Sequence, residues 1–151
     1  MNTLLRKSSL AIALACAGIM AGCAHGPMSH MGMMHGEGQH VSLTGANEVP
    51  AVDTAATGSG RVTIHEDHTV TAKIKAKGMQ ATAAHIHEGA PGVNGPVIVP
   101  LTKSGDDEFT SPPDAKLTDE QYQAYKAGNL YVNVHSAAHK GGEIRAQLAA
   151  Q

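Results

Sequence analysis

Histidine is the residue type with chemistry to offer in this chain. There are ten. Four of them fall in two close pairs, His85 and His87 in "AHIHEGAPGVNGP" and His135 and His139 in "NVHSAAHKGG". Imidazole suits zinc, copper and nickel ions. On a strand, a His-x-His pair puts both rings on one face, about 6.6 Å apart, and a neighbouring strand lies about 4.8 Å away. Rings from two such strands can meet on one ion, with nitrogens about 2.0 Å from it. His85, His87 and His135 are the expected ligands, and His139 is a fourth from the following loop. The same His-x-His could instead hydrogen-bond the glycine-rich loop behind it and tie that loop in place.

A second collection of ligands lies upstream. "AHGPMSHMGMMHGEGQH", residues 24–40, carries His25, His30, His35 and His40 with Met28, Met31, Met33 and Met34 among them. A five-residue step scatters the histidines around a helix rather than aligning them. With Gly and Pro interspersed, the segment reads as a flexible tether. Thioether suits Cu(I) and imidazole suits Cu(II), Zn and Ni. Copper, which uses both, is the expected metal of the tether, and zinc is the second choice.

The tether begins at the end of a leader. "MNTLLRKSSLAIALACAGIMAGC" has a basic start at Arg6 and Lys7, an apolar run, and a Met20-Ala21-Gly22-Cys23 ending. That is a secretory signal over residues 1–22, with Cys23 in the place of a lipoprotein's lipidated cysteine. The apolar run is too short for a stable membrane-spanning helix, which needs about 20 residues. Ala24 rather than Asp follows Cys23, which favours the outer membrane, facing the periplasm. The two cysteines, Cys16 and Cys23, both lie in this region. No disulfide or thiolate ligand is therefore expected in the mature domain.

The elements that must position the domain histidines read as short strands. "VSLTG", "GRVTIH", "TVTAKIKAKG", "AAHIHE", "PVIVPL", "NLYVNVHS" and "GEIRAQL" each alternate or run apolar over four to eight residues. Turn signals separate them, and the 17 Gly and 7 Pro fit such a chain. "LTDEQYQAYKAGN" is the one helix. Thr118 is its N-cap with Gln121 completing a capping box, Asp119 and Glu120 lie in its first turn, and Gly128 stops it. The pattern predicts an antiparallel β-sandwich or small barrel. A (β/α)₈ barrel needs about 250 residues and is excluded. Alternation puts Ile86, Val132, Val134 and Ile144 on the core side. His85, His87, Tyr131, Asn133, His135, Glu143, Arg145 and Gln147 fall on the other. His65 and His68 flank a hairpin turn and are expected to be solvated.

Four stretches carry a resemblance. "LTGANEVPAV", "GSGRVTI", "AAHIHEGAPGVNGPVIVPL" and "AGNLYVNVHSAAHKGGEIRAQL" together resemble the CHRD domain, first named in chordin and common in bacterial secreted proteins. The resemblance implies an immunoglobulin-like or superoxide-dismutase-like β-sandwich over residues 41–151, of generally unassigned activity. Glu48, His85, His87, Asn133, His135, Glu143 and Arg145 match the family pattern. His139 stands where Asn or a similar residue is more usual. Glu48, Asn133, Glu143 and Arg145 are read as a structural polar set that can pair across strands. The His-x-His strand is also similar to that of copper/zinc superoxide dismutase, but the disulfide of that enzyme has no counterpart here.

The composition narrows the partners. A net charge of -2 and a pI near 6.5 give no basic footprint for nucleic acid. There is no Ser-His-Asp order, phosphate loop or paired-carboxylate motif, so the chain is not expected to be an enzyme. The expected function is an envelope lipoprotein that captures a transition metal, copper first. A metal-free interaction module and a dismutase-like copper enzyme are the alternatives, and no protein partner can be named.

Overall fold

The computed structural model describes residues 38–151. Eight strands and one helix follow in order: β1 (Gln39–Thr44), β2 (Thr57–Ile64), β3 (Val70–Lys77), β4 (Ala81–Glu88), β5 (Val97–Gly105), β6 (Glu108–Thr110), α1 (Asp119–Lys126), β7 (Leu130–Ser136) and β8 (Ile144–Gln147). All neighbouring strands run antiparallel. The expectation of an antiparallel all-β domain with one short helix holds. The two-sheet sandwich does not: the strands pair round a closed ring in the order β1-β2-β3-β6-β5-β4-β7-β8.

The reason is β6, which the sequence pattern misses. Three residues are too few to display a period. Yet Lys75 pairs with Glu108 on one side of β6, and Gly105 pairs with it on the other. β6 thus joins two strand groups that would otherwise end in free edges. At the other seam Thr44 of β1 meets Arg145 of β8. Closure removes the edges that a sandwich must protect.

The interior follows the alternation. β3 shows it most plainly, with Val70, Ala72, Ile74 and Ala76 buried and Thr71, Lys73, Lys75 and Lys77 exposed. Large side chains such as Phe109, Ile74, Ile86 and Leu43 fill the barrel between small ones such as Ala72, Ala84 and Ala146. An eight-stranded barrel is just wide enough for side chains to fill in this way. Helix α1 has both capping-box hydrogen bonds, Gln121 N–H to Thr118 Oγ1 at 3.2 Å and Thr118 N–H to Gln121 Oε1 at 2.9 Å. Gly128, at φ 75°, ends it. The helix is pinned by His68, whose ring stacks on Tyr122 at 4.2 Å and whose Nδ1 lies 3.3 Å from Asp119. His68 is therefore half-buried rather than solvated.

Cys23, His25, Met28, His30, Met31, Met33, Met34 and His35 lie outside the described residues. His40 lies inside them. It belongs to β1 rather than to a tether, paired in register with Arg61 and in contact with its guanidinium.

Candidate metal centre

β4 and β7 are direct neighbours. Their register sets Ala83 against His135, His85 against Asn133 and His87 against Tyr131. Because side chains alternate, His85, His87, Tyr131, Asn133 and His135 all project from the outer face of the barrel. Arg145 of β8 continues the row opposite Asn133, and Gln147 opposite Tyr131.

This outer face is not open to water. Glu48, His87, Tyr131, Asn133, His135, Glu143 and Arg145 are all buried, and Arg145 and Asn133 are each only 2% exposed. The cover is loop backbone. Arg145 donates from Nη1 to Asn94 Oδ1 at 3.1 Å and from Nη2 to the Val93 carbonyl at 3.0 Å. Asn94 Nδ2 donates to the Val49 carbonyl, linking the loop after β4 to the loop after β1. Gln147 Nε2 donates to the carbonyls of Gly89 and Gly128, each at 2.9 Å. The barrel therefore has a second, polar layer outside its sheet. The expected cross-strand pairing of the polar set takes this form: Asn133 Nδ2 donates to Glu48 Oε1 at 2.8 Å, and Thr54 Oγ1 donates to Glu143 Oε1 at 2.8 Å.

Within that layer three imidazoles converge. One ring nitrogen from each of His85, His87 and His135 lies within 4.8 Å of the others. Two rings are oriented from behind by backbone carbonyls. His87 Nδ1–H donates to the Gly95 carbonyl at 3.0 Å, and His135 Nδ1–H donates to the Lys140 carbonyl at 2.9 Å. A carbonyl can only accept, so both rings turn Nε2 forward. Metal-ligating histidines are held in this way, with the second ring nitrogen donating to a carbonyl or carboxylate. His87 is further clamped in a stack. Its ring lies over Tyr131 at 4.8 Å and an 8° tilt, and Arg145 lies 3.4 Å over the other partner of that ring pair, Tyr131. Tyr131 in turn accepts the Gly95 N–H at 3.1 Å. The two sequence readings of His-x-His thus coincide: Nδ1 of His87 ties down the glycine-rich loop, and Nε2 remains for a ligand.

That Nε2 is buried and has no hydrogen-bond partner. An orphaned buried acceptor of this kind costs about 1–3 kcal/mol, which a hydrogen-bond donor or a bound cation would recover. His85 Nδ1 and His135 Nε2 share a hydrogen bond at 2.9 Å. Nitrogens about 2.0–2.1 Å from a tetrahedral ion are about 3.3 Å apart, so this pair needs to open by only about 0.4 Å while His87 closes in. Burial first, then the neighbouring His135 and His87, push the His85 imidazole down to about 4. Burial also pushes His87 down, against the hydrogen bond it donates to the Gly95 carbonyl, with His135 and Arg145 adding to the lowering. Both rings are therefore neutral at pH 7, the form that ligates.

His139 is outside the group. Its backbone closes the turn after β7, with its carbonyl accepting from Gly142 N–H at 3.1 Å and its N–H donating to Ser136 Oγ at 3.1 Å. The turn that would have brought its ring to the site instead presents the carbonyl of Lys140. Sequence reasoning missed Tyr131, Asn94, Gly95 and Gln147. Tyr131 and Gln147 were accessible to it, since parity already placed them beside the histidines. The carbonyls were not, because backbone geometry leaves no mark on residue type.

Among known families, residues 40–148 match the CHRD domain. Neither the curated proteins nor the solved structures provide a match.

Proposed function

The chain belongs to the CHRD domain family, and from that premise we propose that it is an envelope protein that binds a transition metal through His85, His87 and His135. The observation that carries this reading is the set of three converging ring nitrogens. The buried, partnerless Nε2 of His87 among them gives it force. An all-imidazole set suits copper, zinc or nickel. Copper is the metal we favour, because the upstream His/Met segment adds the thioethers that only copper uses alongside imidazole. In this reading Cys23 carries the lipid that holds the chain at the outer membrane. The upstream segment collects the ion and the barrel holds it. The role is capture or buffering rather than catalysis.

Metal analysis of protein purified without a histidine tag, followed by titration of the stripped protein with Cu(II), Cu(I) and Zn(II), tests this. One high-affinity site that persists when residues 24–37 are deleted, and disappears in His85→Ala and in His135→Ala, is the expected result. No binding at micromolar metal in a folded protein would end the proposal for the barrel site. Loss of Cu(I) binding on deletion of residues 24–37, with the barrel site intact, assigns the second ligand set to the tether.

A further inference from the structure

The side of the barrel away from the histidines carries different chemistry. In the ring order β2 and β3 stand four places from β4 and β7, so the two pairs lie across the barrel from each other. The exposed residues of β2 and β3 include Arg61, Lys73, Lys75 and Lys77. Register sets Arg61 directly against Lys73, with Ser59 against Lys75 and Thr57 against Lys77. Like charges directly opposite destabilise a sheet. The chain is also acidic overall, with 13 Asp and Glu against 11 Lys and Arg. Gathering cations here runs against both facts, and intramolecular pairing does not account for it. Lys75 meets Glu108 at 2.7 Å and feels Asp107 nearby. Lys73 also acts on Glu108 from a distance, but among the described residues neither Lys73 nor Lys77 lies within ion-pair distance of a carboxylate.

The surface between these cations is hollow. Ser42 and Ser59 face each other across β1 and β2, and Gly60 beside them has no side chain. The resulting depression of about 520 Å³ is rimmed by His40, Arg61, Lys73 and Lys75, with the Glu108 carboxylate at the Lys75 edge. Hydroxyls on the floor and a guanidinium with ammonium groups at the edge form a donor set for phosphate oxygens.

We propose that this face docks on the phosphate groups of an anionic lipid bilayer. A single small phosphate would use only the depression. The cations extend beyond it along β3, where Lys73 to Lys77 spans about 13 Å, and a flat row of that length meets a plane of headgroups. The chain also enters the barrel beside this face, with Gln39 against Val62 and His40 against Arg61. Docked in this way, the barrel turns its histidine layer away from the membrane. The proposal is independent of whether a metal binds there.

Vesicle co-sedimentation tests it, using the chain without residues 1–23, which retains every described residue, 38–151. Binding to vesicles of phosphatidylglycerol mixed with phosphatidylcholine, weakened by salt and absent with phosphatidylcholine alone, is the expected result. Each cation near such a surface contributes about fivefold to partitioning, so Lys73→Gln with Lys75→Gln lowers it about 25-fold. Lys103→Gln, an exposed cation on β5, leaves it unchanged. Thermal melts of the variants confirm folding. Equal binding to both vesicle types, or undiminished binding by the folded double variant, overturns the proposal. So does displacement by inorganic phosphate at concentrations too low to screen charge, because a free anion would then be the ligand.

Discussion

Replacing Glu48 with Gln should stabilise the metal-free protein at neutral and alkaline pH, although it replaces a buried carboxyl that accepts a hydrogen bond. Glu48 is 6% exposed and accepts from Asn133 Nδ2 at 2.8 Å. Burial pushes its carboxyl from 4.5 up to about 7, and the Arg145 charge only partly opposes this. The folded state therefore holds a proton that the unfolded chain has already released. Below pH 4.5 both states are protonated and the group costs nothing. As pH rises from 4.5 to about 7 the fold loses stability, and above that the loss is complete. A tenfold change in proton affinity is worth about 1.4 kcal/mol, so the full loss is about 3 kcal/mol. Gln keeps the shape and the acceptor without the charge. Guanidinium melts of both proteins with chelator present, from pH 4 to 8, give the difference directly, and contributions common to both cancel. The variant should match the parent at the acid end and exceed it by about 3 kcal/mol at pH 8, or about 10 °C in Tm. A variant that falls further below the parent as pH rises through 4.5 would refute the reasoning. It would mean that Glu48 is ionised in the fold and paired electrostatically with Arg145.

Three further outcomes follow from the same layer. Adding Cu(II) or Zn(II) at about a hundred times its Kd should raise stability by about 2.7 kcal/mol; calorimetry should show this gain lost in His85→Ala, His87→Ala and His135→Ala but kept in His139→Ala, since His139 is outside the group. Gly142→Ala should cost about 2 kcal/mol or more by denaturant melt, because Gly142 sits at φ 132° and a Cβ there would lie on the Asn133 amide. Arg145→Met keeps much of the apolar length but loses the donors to Asn94 and Val93. Proteolysis within residues 89–96 should quicken by at least tenfold, since a hydrogen bond from a charged donor is worth about 1.5–3 kcal/mol.

Much of the fold was legible because burial writes itself into alternation. β3 alternates over its whole length, and β4, β7 and β8 carry the parity that sets His85, His87 and His135 on one face. The helix was legible from Thr118 and Gln121, whose side chains complete each other's hydrogen bonds. Two features were not. β6 is three residues long, and its role in closing the barrel comes from pairing with β3 and β5 at once, which no local pattern records. The burial of the outer face was also hidden. Polar residues off the core side read as solvent-facing, and here they meet loop backbone. A loop full of Gly and Pro lends itself to that task, because its carbonyls and N–H groups approach closely where side chains would intervene. Gly95 has no room for a Cβ beside the Glu88 carbonyl, and its own carbonyl holds His87.

The cost of that layer is an argument for its use. A buried arginine, two buried carboxylates, an asparagine and two buried histidines could all have been apolar, and apolar replacements of buried polar networks are often neutral or stabilising. Arg145 is accounted for structurally, since it fastens the covering loop. Asn133 is half accounted for: Nδ2 reaches Glu48, but Oδ1 is buried without a partner. His87 is in the same state, with Nδ1 on Gly95 and Nε2 without a partner. A network built only to hold loops would satisfy both ends of each group, because every orphaned atom subtracts from the stability that the network supplies. The two orphaned atoms instead belong to residues on the same outer face, one of them a member of the histidine group. Binding a cation there would satisfy the histidine and replace the proton now shared by His85 and His135. The three rings are thus held from behind by structure and left incomplete in front, which is the arrangement a site needs if its ligand arrives after folding.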